Sequence, residues 1–282
     1  LFNGNPDYSG YSNKDGTKLF SGNIDKEKWR RAAIACKEAI DMCTSLGYKM
    51  YDFLGNNQTA AISQDTKLAM NARVITDKWN TEIIWAHTGA STKDLQAWAT
   101  PRGFNNAQAS FTGSTGTIGV PLKIAALYYS RNGVPIEEDI TWNYNNRFNL
   151  RKSIAADKYK IKEGYTTAEF NFDRETRFYG SLGCNGGIWY GLGEFDDNKA
   201  FWLETKKGQF GGKVGQSWHS VTGYYAKKYA YYTNAITSST NYTTTNWPWV
   251  MLRLSDLYLL YAEALNEING PGAEVYQYLD LI

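Results

Sequence analysis

Apolar residues recur at helical spacing towards both ends of the chain and lose that spacing in between. From Asp25 to about Leu46, Trp29, Ala32, Ala33, Cys36, Ile40 and Cys43 fall on one face of a helix. Asp25 stands where its carboxylate can cap the first turn, and Gly47 follows the last. A second helix is expected from Ser63, carrying Leu68, Ala72 and Ile75, and a third from Pro121 to near Gly133. Towards the C-terminus, Trp247 to Leu252 is a short apolar run around a proline, the composition of an extended segment. Ser255 is the expected N-cap of the helix that follows, which shows Leu257, Leu260, Tyr261, Ala264, Leu265 and Ile268 on one face. Gly270-Pro271 stops it, and Val275, Tyr276, Leu279 and Ile282 begin a second helix that folds back on the first.

Between Trp142 and Trp249 the helical period fades and Gly, Asn, Thr, Tyr and Trp dominate. Alternation at Phe201-Trp202-Leu203 and Ser220-Val221-Thr222 predicts short strands within irregular chain. Residues 1–24 read as an irregular surface segment. The organisation expected is one domain, helical over about 25–135 and 250–282, with a loop-rich lobe over about 136–249. Its 282 residues suffice for a substantial core. A net charge of +2 gives no basic footprint for nucleic acid. No apolar run approaches the roughly 20 residues that span a bilayer, and no secretion signal is visible at Leu1. The helical pattern is still running at Ile282, so the chain is read as a piece of a longer protein. Cys36, Cys43 and Cys184 make no disulfide framework. The first two lie on one helix with backbones roughly 10 Å apart, too far to bridge.

Aromatic residues make up 15% of the chain, with ten Trp and 21 Tyr, and many lie in polar, glycine-rich stretches. Flat aromatic faces suit the apolar C–H faces of sugars, while Asn, Asp and Arg satisfy the hydroxyl rim. Any single Trp is more often buried than free, so context selects the candidates. Trp98 lies in a polar loop with Arg102 nearby; Trp189 and Tyr190 sit in GGIWYG; Trp218 and His219 sit in GGKVGQSWHS. Trp29, Trp85, Trp247 and Trp249 are assigned to structural positions. Catalytic signatures are absent. His87 and His219 lack zinc-ligand neighbours, and no phosphate-binding loop or nucleophile elbow occurs. Glu137, Glu138, Asp139, Glu194, Asp196 and Asp197 are the carboxylates from which a glycosidase pair would have to come. Glu194, Asp196, Asp197 and Asn198 lack the alternating pattern of a Ca²⁺ loop. No catalytic residue, metal or cofactor is assigned.

The segment LRLSDLYLLYAEALNE resembles the C-terminal motif of the SusD/RagB family through Arg253, Asp256, Leu259, Leu260, Tyr261, Ala262, Glu263 and Ala264. Weaker matches follow in family order: AAIACKEAIDMCTSLGY at 32–48, NTEIIW at 80–85, VPLKIAALYYSRNGVPIEED at 120–139 and GYYAKKY at 223–229. FDRETRFY at 172–179 is looser, with Glu175-Thr176 where the family usually has a proline. The resemblance implies a mostly α fold, a TPR-like helical bundle with a loop-rich lobe of short strands. It implies a non-catalytic, lipid-anchored outer-membrane protein at the cell surface that captures oligosaccharides for a SusC-like TonB-dependent transporter. The resemblance implies that the ligand binds on loops of this kind, without exact carry-over of residues, and the glycan-binding candidates chosen by context are Trp98, Arg102, Trp189, Tyr190, Trp218 and His219. The alternatives are a peptide or glycopeptide ligand in the same family, or a carbohydrate-active hydrolase. Arg253 and Glu263 are expected to act structurally, as a charged pair pinning the helix.

Overall fold

The computed structural model describes residues 3–54, 62–104, 113–215, 217–238 and 241–282. Regular structure among these is mostly helical, with short strands. The first half contributes α1 (Lys26–Ser45), α2 (Gln64–Asn71), β1 (Ile83–His87), α3 (Lys93–Ala99) and α4 (Leu122–Ala126). Then come β2 (Leu150–Lys152), β3 (Thr166–Ala168), α5 (Thr176–Ser181), β4 (Ile188–Trp189), β5 (Phe201–Trp202), β6 (Ala235–Ser238) and β7 (Asn241–Thr243). The chain closes with β8 (Trp249–Arg253), α6 (Leu254–Asn269) and α7 (Ala273–Asp280). No helix among the described residues is long and apolar enough to cross a membrane. The fold divides into two compact units.

One unit comprises the residues up to Met50, Thr81–Ala86 and Val250–Ile282. Asp25 caps α1 as expected, its carboxylate accepting from the Glu27 N–H. Ala33, Ile40 and Cys43 of α1 are buried with Leu257, Tyr258, Tyr261 and Ala264 of α6 and Val275 and Tyr278 of α7. Edge-to-face packing of Tyr261 on Tyr278, 4.9 Å between centroids at 87°, locks α6 to α7. The buried side of α7 is therefore Val275 and Tyr278; Tyr276 and Leu279, expected there, are exposed, as is Leu260 on α6. Cys43 is buried and Cys36 half-buried, both as free thiols.

The start of α6 departs from expectation. Its first residue is Leu254, and Asp256 accepts a hydrogen bond from the Arg253 N–H at 3.0 Å. Ser255 lies one residue inside the helix, fully buried. Arg253 pairs with Glu82 at 3.2 Å, and Glu82 is almost fully buried. Glu263 is exposed, so the expected Arg253–Glu263 pair is replaced by Arg253–Glu82. The backbone is tied at the same place, the Leu254 N–H donating to the Glu82 carbonyl at 2.9 Å. Glu263→Ala is accordingly expected to change stability by less than about 0.5 kcal/mol. Glu82→Gln should cost about 1–2 kcal/mol by leaving Arg253 with only the longer pairing to Asp256 at 3.7 Å. Parallel urea melts check both, and the reverse order would return the role to Glu263.

The other unit, Tyr51–Asn80 and His87–Trp249, is built on loops. Ser63 caps α2, accepting from the Thr66 N–H, and α2 packs on α5 at Gly180, where a Cβ would lie 2.3 Å from the Ala69 carbonyl oxygen. Strands pair only in twos: β2 with β3, β4 with β5 and β6 with β7, all antiparallel. Phe201-Trp202 is extended as expected. Ser220-Val221-Thr222 is instead a turn, with the Thr222 N–H bonded to Ser220 Oγ and Val221 exposed. Similarly, α4 stops at Ala126 rather than near Gly133. The reason is Arg174, whose guanidinium takes the carbonyls of Ala125, Tyr128 and Tyr129 that a longer helix would have kept. Three apolar clusters fill the unit, centred on Phe170 and Phe178, on Trp189 and Tyr225, and on Phe53 and Tyr232.

Candidate functional site

Tyr225 organises the surface on which four of the six candidate residues lie. Its ring is buried, and its phenol accepts from the Ser220 N–H at 3.1 Å and donates to the Gly211 carbonyl. Burial pushes this phenol up; the Ser220 N–H and the charge of Arg102 oppose the shift. Three stretches of chain meet here. The first is the end of α3 and the residues after it: Trp98, expected in a polar loop, lies instead within α3, and its carbonyl accepts from the Ile118 N–H at 3.1 Å. The second, 113–119, reaches Tyr225 through a backbone bridge at Gly119. Gly116 has φ +57°, and a Cβ there would lie 2.5 Å from Tyr225 Cε1 and 2.9 Å from Pro101 Cα. The third, 210–215 and 217–222, is held by the Tyr225 phenol and touches the first at Gly103 (φ +72°), where a Cβ would fall 2.0 Å from Phe210 Cβ. Only glycine permits these two left-handed close approaches.

The loops present apolar faces to solvent. Trp98 is 49% exposed and Trp218 60%, with Phe210, Val214 and Val221 also exposed. Polar groups stand among them. His219 Nδ1 lies 2.9 Å from the Ser217 carbonyl, and since a carbonyl only accepts, Nδ1 carries the proton and donates. The half-buried Arg102 has its Nε without a hydrogen-bond partner among the described residues. Exposed aromatic rings, a guanidinium and an imidazole are side chains able to stack on and hydrogen-bond to a polar ring.

Trp189 and Tyr190 do not join this surface. Trp189 is 1% exposed and packs on Phe104 at 5.1 Å, while Tyr190 is 3% exposed in the cluster with Phe53 and Tyr232. Neither ring offers a face to a ligand, and this corrects the expectation from GGIWYG. The glycines there serve the backbone: a Cβ on Gly191 would lie 2.3 Å from the Tyr232 carbonyl oxygen. Sequence reading also passed over Tyr225 and Phe210; the legible signal was Gly116 and Gly119 in a stretch without helical period. Of the tryptophans set aside as structural, Trp247 is buried, whereas Trp85 is 63% exposed.

Of the carboxylates that a hydrolase would need, Asp139, Glu194, Asp196 and Asp197 are engaged locally, while Glu137 and Glu138 are exposed. Asp139 accepts from Ser130, Asn132 and Thr141, bonds that hold its carboxyl far below the usual carboxylate range. Asp196 accepts from the Asn198 N–H and pairs with Lys199, and Asp197 accepts from the Ser63 N–H. No cluster of metal-ligating side chains is present among the described residues.

The model of the SusD family matches residues 81–282, a span that includes every residue of this surface and the C-terminal motif. The chain belongs to the SusD family. Two solved chains share the fold of this SusD family member. BT4246 aligns with a TM-score of 0.75 at 22% identity over 99% of this chain and 49% of its own, and selenomethionine BT4246 with 0.74 at 22% over 100% and 51%. The present chain thus spans about half the length of the solved chains it matches. A laminarin-binding SusD-like protein aligns with a TM-score of only 0.26 at 15% identity over 96% of this chain and 48% of its own, too low to compare arrangements. No curated protein sequence matches the chain. The family and the mostly helical fold with short strands are those expected from the sequence.

Proposed function

We propose that the protein binds glycans without cleaving them, at the surface around Trp98 and Trp218, and that it does so at the outer membrane as a lipid-anchored partner of a SusC-like TonB-dependent transporter. The observation that carries the reading is that Trp98 of α3 and Trp218 are exposed on segments that, with those bearing Arg102 and His219, are tied to one buried tyrosine. Membership of the SusD family supports the ligand class, the location and the partner. Stacking on Trp98 and Trp218 would supply affinity, and Arg102 and His219 would select hydroxyl positions. A shallow site of this kind gains strength along a polymer through repeated engagement.

Native affinity electrophoresis against a polysaccharide panel, with the same samples assayed for new reducing ends, tests the reading. Retardation without cleavage is expected, and Trp218→Ala and Trp98→Ala should each weaken it about tenfold, roughly 1.4 kcal/mol, without changing the melting temperature. New reducing ends would overturn the non-catalytic assignment. Retardation competed by peptides but not by free sugars would move the ligand class to peptides or glycopeptides.

A further inference from the structure

Two cations are buried together in the loop-built unit without a counter-charge. Arg73 is 1% exposed and Lys227 5%, and neither forms a salt bridge among the described residues. Lys227 Nζ donates to the carbonyls of Tyr179 and Ile188, each at 2.7 Å, which uses two of the three N–H groups of an ammonium. The Arg73 guanidinium donates to the Ala230 carbonyl and touches Met70 Sδ at 3.6 Å, while its buried Nε has no partner among the described residues. Both side chains line one partly open cavity of about 20 Å³, lined also by Thr66, Tyr159, Tyr179 and Tyr190 and by no carboxylate. A cavity of that size takes one water-sized particle.

We propose that this cavity is a binding site for one small monovalent anion of the halide class, chloride, held between Arg73 and Lys227. Burying two like charges at low local dielectric is costly unless something neutralises them. Water would satisfy the spare donors but not the charge, and sulfate, phosphate or a carboxylic acid is too large for the space. The lining suits a soft, weakly hydrated anion: guanidinium, ammonium and Thr66 hydroxyl donors beside the Met70 thioether.

Anion binding is coupled to a proton. Burial first, and then the charge of Arg73, pulls the Lys227 amine down to about 7, with the Cys184 thiol acting weakly the other way. Occupancy favours the protonated amine, so the site should be strong where Lys227 is charged and weak where it is neutral. The charged groups on the surrounding elements are engaged elsewhere: Asp77, four residues after Arg73, accepts from the Tyr51 and Tyr231 phenols. Asp65 on α2 is paired with Lys160, Lys67 with Asp52, and Glu175 before α5 with Arg177. Lys228, beside Lys227, stands over the Tyr229 ring.

The full chain should be melted in sodium chloride and in sodium gluconate at equal ionic strength, at pH 6 and pH 9, and its crystals soaked in bromide for an anomalous map. The expected result is a melting temperature about 2–4 °C higher in chloride at pH 6, no difference at pH 9, and a bromide peak between Arg73 and Lys227. Equal melting in the two salts at pH 6, or a map without that peak, overturns the assignment and leaves the cavity to water.

Discussion

Arg174→Met is expected to destabilise the loop-built unit by about 3–5 kcal/mol, read from the urea midpoint at constant slope. Arg174 is 2% exposed and forms no salt bridge among the described residues. Its guanidinium bonds the carbonyls of Phe170 at 2.9 Å, Ala125 at 2.8 Å, Tyr128 at 2.6 Å and Tyr129 at 3.4 Å. Its faces are covered by the rings of Phe178 and Phe170, at 4.5 and 4.7 Å from their centroids. Burial pulls the side chain down only to about 10, so it stays charged at neutral pH. One planar fork thus collects the end of α4, the turn beyond it and the segment before α5, a task that the fixed, coplanar donors of one rigid group perform well. Methionine fills much of the volume but leaves buried carbonyls without donors, each costing about 1–3 kcal/mol. Arg174→Lys should fall between, because one ammonium cannot span four acceptors. A methionine variant within about 1 kcal/mol of the parent would show that the rings, and not the guanidinium, hold this region together.

The same residue explains where sequence reading stopped. Local signals survived folding wherever the deciding contact was local: Asp25 and Ser63 cap their helices, and Gly270, at φ +79°, ends α6. They failed where a distant partner offered a better hydrogen bond. Arg174 ends α4 early, Glu82 reaches Arg253 across 171 residues of sequence, and Tyr225 turns Ser220–Thr222 away from a strand. The site divides on the same principle. That tryptophans in glycine-rich loops matter was legible; which of them face water was not. A glycine beside a tryptophan admits either a ligand or another stretch of backbone, and sequence does not distinguish the two. At Gly191 it admits the Tyr232 carbonyl, and Trp189 and Tyr190 are carried into the core with it. At Gly103 and Gly116 close approach joins loops from outside, and Trp98 and Trp218 remain in solvent.

That division has a measurable consequence at Trp189. Trp189→Ala is expected to cost about 3–5 kcal/mol of stability while leaving polysaccharide retardation of the folded protein unchanged, the reverse of Trp218→Ala. In β4 the residue pairs with Phe201, its ring lies against Phe104, and the Lys227 ammonium stands 5.7 Å from the ring centroid. Its removal would empty the centre of a cluster formed by Leu192, Leu203, Tyr225 and Ile236, which the two-residue strands around it are too short to close. The indole N–H has no hydrogen-bond partner among the described residues, so the side chain contributes volume and dispersion rather than a polar contact. Trp189→Phe should therefore recover most of the loss, because it restores a ring and deletes a donor that gains nothing where it is. Melts and retardation measured on the same preparations separate the two roles. Lost retardation at an unchanged melting temperature would place Trp189 in the binding surface, in a conformation where β4 has opened, and would count against the assignment of that surface to Trp98 and Trp218 alone.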